Sequence, residues 1–101
     1  MKIYLSGPCS GVTEWNYPAF NRAAAKLRAQ GHDVYNPAEY PFDGPLDQFP
    51  LRQAFSDYCR YICDEADALY ILPHWENSKG VRAEKALAEC LGIHVIFLED
   101  E

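Results

Sequence analysis

Apolar positions along the chain keep two rhythms, short dense runs and longer stretches with helical spacing. Residues 2–6 (KIYLS) predict a strand that ends at the Gly7-Pro8 turn. Residues 18–31 place Phe20, Ala23, Ala24 and Leu27 on one face of a helix, with Gly31 as its stop. Residues 32–37 (HDVYNP) make a second short strand closed by Asn36-Pro37. Residues 38–50 are rich in Pro, Gly and aromatics and follow neither period. Such a loop is longer than packing requires, which suits a lid or a pocket wall. Residues 51–66 return to helical spacing, with Ala54, Tyr58, Tyr61, Ile62 and Cys63 expected inward. The apolar run 67–73 (DALYILP) reads as a strand inside a parallel sheet. A helix over 78–92 and a strand over 93–98 (IHVIFL) complete the pattern before an acidic tail.

Strand and helix alternate throughout, which predicts an α/β protein. Its Rossmann-like or flavodoxin-like parallel sheet has about four strands flanked by helices, built as one domain over residues 1–101. Ligands of such sheets sit beyond the carboxyl ends of the strands. The loops after the first three strands are therefore where chemistry is expected.

Composition narrows the function. Hydrophobic residues make up 49% and charged residues 24%, as in ordinary globular proteins. A net charge of -6 argues against a nucleic-acid polymer as partner, but a helix terminus can still hold one phosphate. No run approaches a membrane span, and the apolar part of the N-terminus is short for a signal peptide, so a cytoplasmic protein is expected. Cys9, Cys59, Cys63 and Cys90 lack C-x-x-C spacing and are expected to be buried free thiols rather than metal ligands.

The stretch WENSKGVRAE (75–84) asks for more than packing. Ser78 is placed to cap the last helix, and the same helix end offers unpaired amides and a positive dipole to an anion. Gly80 in the first turn costs about 1 kcal/mol relative to alanine. One turn later on the same face stands Glu84. Space over Gly80 would let a sugar meet Glu84; close packing at Gly80 and a solvated Glu84 is the alternative. A carboxylate near a helix N-terminus is expected to stay ionised and so to act as nucleophile or cation stabiliser. Cleavage of a glycosidic bond through a glycosyl-enzyme intermediate is chemistry of that kind.

The segments IYLSG (3–7) and ADALYILPHWENSKGVRAEKALAECLGI (66–93) resemble the nucleoside 2-deoxyribosyltransferase superfamily. The likeness is greatest to its small bacterial and phage members of uncertain function and to the 2'-deoxynucleoside 5'-monophosphate N-hydrolases. The resemblance implies that Glu84 is the nucleophile and that the Tyr4 hydroxyl orients it. It implies that Gly7 and the turn at 8–11, with Ser10, cradle the ligand. Ser78 stands where transferases tend to carry an aspartate for the sugar 5'-hydroxyl and monophosphate hydrolases a phosphate-binding serine. The family aspartate expected eight residues before Asp67 is replaced by Cys59. Asp57, two residues earlier, is the nearest catalytic candidate, although two helical residues turn a side chain by about 200°. Trp75 is a candidate for base stacking, and Asp67 is expected to fix a turn.

The expectation is therefore cleavage of the N-glycosidic bond of a (deoxy)nucleoside 5'-monophosphate, with no metal or redox cofactor. The alternatives are deoxyribosyl transfer and a nucleotide-binding module without turnover. A homo-oligomer is implied because relatives share pockets between subunits.

Overall fold

The computed structural model describes residues 1–100 of the chain. Four parallel strands form one sheet: β1 (Lys2–Ser6), β2 (Asp33–Tyr35), β3 (Ala68–Ile71) and β4 (His94–Phe97), in the order β2-β1-β3-β4. Three helices connect them: α1 (Tyr17–Ala29), α2 (Leu51–Asp64) and α3 (Lys79–Cys90). The α/β parallel architecture expected from the alternating pattern is present, with element ends a few residues shorter than the apolar runs suggest. The strands stop where ladder pairing stops, as in the register Ile3↔Ala68 to Ser6↔Ile71.

Strand alternation decides what each face of β1 meets. Ile3 and Leu5 turn to one side and pack with Phe20, Ala24 and Leu27 of α1. Tyr4 and Ser6 turn to the other side, where α2 and α3 lie and where Tyr4 packs with Ala54, Tyr58 and Val81. The chain leaves β1 toward β2 by way of α1, then crosses through α2 to β3 on the opposite side of β1. That reversal is the topological switch point, and the carboxyl ends of β1 and β3 flank it.

Local signals behave as elementary chemistry requires. Pro18 sits in the first turn of α1 and Gly31 follows its end with φ of 93°. Asn36 caps a 3-10 turn at Pro37–Glu39 by accepting from the Ala38 amide at 3.0 Å. Asp67 accepts from the Lys2 amide at 2.8 Å and so ties β3 to β1, the turn-fixing role expected of it. Another 3-10 turn, Leu46–Gln48, interrupts the stretch expected to be irregular.

Two expectations need correction. Cys63 is exposed rather than inward, because the buried stripe of α2 runs Ala54, Tyr58, Ile62 and the next residue is turned away by about 100°. Cys90 is exposed too, while Cys9 and Cys59 are half-buried, so the four thiols are free but not all are core residues. No helix among the described residues is long and apolar enough to cross a membrane.

Candidate active site

The stripe of α3 that faces the sheet contains Val81, Glu84 and Ala88, so a carboxylate occupies a position where the helix otherwise buries methyl groups. Glu84 is 5% exposed. It is accommodated because β1 directs two hydroxyls at it. Tyr4 Oη donates to Glu84 Oε2 at 2.6 Å, and Ser6 Oγ donates to Oε1 at 2.7 Å. Both bonds have the short length of charge-assisted contacts.

Burial pushes the Glu84 carboxyl up to about 7, and the bonds from Ser6 and Tyr4 hold it back from rising further. This corrects the expectation of a carboxylate kept ionised by the helix N-terminus. Glu84 is the sixth residue of α3, beyond the first turn where the dipole acts, and desolvation outweighs the remaining field. The Tyr4 phenol is itself held well above the usual tyrosine value, by burial first and then by the Glu84 charge, so it remains a donor.

Above Glu84 lies a cavity of about 980 Å³. Its walls come from the loops after β1, β2 and β3 and from the first half of α2, the convergence expected of a switch point. Trp15, Phe49, Phe55 and Tyr58 give it an aromatic side, while Arg52 and Lys79 place cationic groups on the lining. Ser78 caps α3 by accepting from the Val81 amide at 3.3 Å. Its own proton remains available to a ligand. A Cβ built on Gly80 would meet nothing within 4 Å, so the space over the first turn of α3 is open. At Gly7 the reason for glycine is different. A Cβ there would stand 2.6 Å from Leu72 Cδ1, so close packing of the β1 end against the β3 end excludes a side chain.

Tyr4, Gly7, Ser10, Ser78, Gly80 and Glu84 all line this cavity. Asp57 and Trp75 do not. The Asp57 carboxylate accepts a 2.6 Å bond from Tyr40 and is turned to the flank of α2, one residue round the helix from Tyr58. The Trp75 ring lies against Phe97 of β4, centroids 5.4 Å apart, with Lys85 Nζ 5.7 Å from it. The non-periodic turn after β3 leaves Trp75 half-buried against the core and off the cavity lining. His74 reaches the rim from that turn with φ of 66° and pairs with Asp100 at 2.9 Å.

Ser6 is the residue beside Glu84 that the sequence reading did not name. Period-2 alternation from Tyr4 along KIYLS would have found it on the same face. Cys9, expected only as a buried thiol and as part of the turn at 8–11, also belongs to the site. Its thiol lies on the cavity wall and is raised to about 11, by burial first and then by the Glu84 charge. Among the described residues no group of three His, Cys, Asp or Glu side chains is placed to hold a metal ion.

The family described as "Domain of unknown function (DUF4406)" matches residues 1–97. No curated protein matches the chain at a significant level. Among solved structures, a 2-deoxyribosyltransferase from the psychrotolerant bacterium Bacillus psychrosaccharolyticus shares its fold, with a TM-score of 0.73 and 24% sequence identity. The match covers 96% of this chain and 71% of that one.

Proposed function

This chain belongs to the DUF4406 family, and we propose that it cleaves the N-glycosidic bond of a (deoxy)nucleoside 5'-monophosphate, with Glu84 as nucleophile. The observation that carries the reading is the carboxylate itself. Glu84 is buried, gripped by two hydroxyls and placed at a ligand-sized cavity. A structural residue in that stripe would be apolar, because an uncompensated buried carboxylate is costly.

The chemistry follows from the surroundings. Loss of a base leaves positive charge on the sugar ring, and an ionised carboxylate in a low-dielectric cavity stabilises that charge better than water does. Attack of Glu84 at the anomeric carbon gives a glycosyl-enzyme ester. Tyr4 and Ser6 hold both oxygens in place, and their bonds favour the ionised form that attacks. Gly80 leaves room for the sugar. Ser78, the first amides of α3, Lys79 and Arg52 suit a phosphate at the 5' end, and the aromatic side suits a base. Water then releases the sugar phosphate. The reading goes with a cytoplasmic protein, since four free thiols accord with a reducing compartment, and with a homo-oligomer acting on a small molecule.

Deoxyribosyl transfer to a second base is the other reading, favoured by the fold shared with a 2-deoxyribosyltransferase. One experiment separates these readings. Purified protein and Glu84→Gln are incubated with a panel of nucleoside 5'-monophosphates and the matching nucleosides, and free base is followed by chromatography. Base released from monophosphates, and reduced on the order of 10⁴-fold in the variant, is the expected result. New nucleosides on addition of a second base would favour transfer. Ligand binding without product in either protein would leave a binding module.

A further inference from the structure

Cleavage needs something at the departing base as well as at the sugar, and the position where a family aspartate is expected is Cys59, which does not line the cavity. We infer that Tyr58 takes that part, its hydroxyl donating a hydrogen bond to the base atom that collects the electron pair as the C1'–N bond breaks. This rests on the glycosidic reading of Glu84.

Four observations place Tyr58 there. It lines the cavity although the residue is only 8% exposed. Its hydroxyl has no hydrogen-bond partner among the described residues, yet it is not sealed in the core as the orphaned Tyr61 hydroxyl is. Its ring is wedged among three others, with centroids 6.0 Å from Tyr4, 6.0 Å from Tyr35 and 5.6 Å from Tyr40. Tyr40 is in turn fixed by its bond to Asp57. Asp57 thus acts as a positioning residue, holding the ring that holds Tyr58. A buried hydroxyl fixed by its ring and left without an acceptor is a preorganised donor.

Two other candidates on the wall are less suited. The Cys9 thiol lies 3.6 Å from the Gly7 carbonyl oxygen, as its donor. Asp47, the other carboxylate of the lining, is exposed on the Leu46–Gln48 turn. Burial first, and then the neighbouring Tyr35, Cys9, Tyr17 and Glu84 groups, keep the Tyr58 phenol proton tightly held. Tyr58 therefore keeps its proton and lends only the hydrogen bond. In the step, a Glu84 oxygen bonds to C1', the C1'–N pair goes to the base, and water protonates the base. The hydroxide equivalent so formed takes the proton of the second water that opens the ester. The sum is addition of one water across the bond.

Tyr58→Phe removes the hydroxyl and keeps the ring contacts, and thermal unfolding checks that the fold is retained. Base release is compared for deoxyguanosine 5'-monophosphate and its 7-methyl derivative, whose base is cationic before cleavage and departs neutral. The expected loss is about 100-fold on the first and within about threefold on the second. Tyr40→Phe, which frees Asp57, is expected to show the same preference more weakly. An equal loss on both substrates, or no loss, overturns the assignment. If the wild-type protein releases base from neither, the glycosidic reading fails by itself. Calorimetry with deoxyguanosine 5'-monophosphate then decides the contact. Affinity about tenfold weaker in Tyr58→Phe sustains it, and unchanged affinity or no binding by the wild type overturns it.

Discussion

The two sides of β1 differ as much as any two regions of this molecule. On one side Ile3 and Leu5 are fully buried among aliphatic and aromatic carbon. On the other, Tyr4 and Ser6 are equally buried but spend their hydroxyls on a carboxylate. Side chains one residue apart thus serve opposite ends. The dry side contributes stability through transfer and packing. The polar side gives stability up, because the folded protein holds Glu84 near 7 while an unfolded chain holds it near 4.5. Above pH 7 that difference amounts to about 3 kcal/mol against folding. That penalty is the cost of the group proposed above as nucleophile.

The largest expected effect that sharpens this contrast is on the dry side. Leu5→Ala should cost about 3 kcal/mol in denaturant unfolding and leave the pH midpoint of base release unmoved. Ser6→Ala should do the reverse. Stability should change by about 1 kcal/mol, while the midpoint moves to higher pH because a bond to the ionised form is lost. A Ser6→Ala protein with an unmoved midpoint would break the comparison.

The Glu84 proton gives an effect of similar size with a defined sign. Folded protein keeps this proton between pH 4.5 and about 7 while the unfolded chain releases it, so stability from this group falls across that window and is flat above it. Activity that needs the carboxylate rises over the upper part of the same window. Unfolding free energies of wild type and Glu84→Gln, measured at pH 5 and pH 8, should diverge by about 3 kcal/mol in favour of the variant at the higher pH. Parallel curves would place the carboxylate in a wetter site than its burial implies.

The smallest effects come from two glycines. Gly7→Ala forces Leu72 aside and should destabilise by about 1–2 kcal/mol. Gly80→Ala meets open space and should stabilise α3 by up to about 1 kcal/mol, while raising KM if a sugar passes over it. Equal losses of stability at both positions would show that Gly80 is packed after all.

These contrasts also mark how much the sequence made legible. The α/β sheet was readable because alternation and helical spacing report on an element's own faces, as in KIYLS and in Ala54, Tyr58 and Ile62. Glu84 and Gly80 were readable because a glycine and a carboxylate one turn apart break what packing would ask. What lies opposite a face is not carried by its period. Alternation puts Ser6 on the face of Tyr4, but it does not tell that both hydroxyls meet Glu84, 78 and 80 residues away. Asp57 sits about 100° round the helix from Tyr58, enough to exchange the cavity for Tyr40. Trp75 follows a turn with no period, and its direction was set by Phe97.

The bonds that join β1 to α3 span 80 and 78 residues of chain. The first strand and the last helix of a growing polypeptide therefore meet late, long after the first strand has left the ribosome. Until they meet, Tyr4 and Ser6 have hydroxyls aimed at an acceptor that is not there. Their unmet hydrogen bonds penalise any intermediate that closes the sheet without α3. The carboxylate site proposed for chemistry is thus complete only when the first strand and the last helix have met.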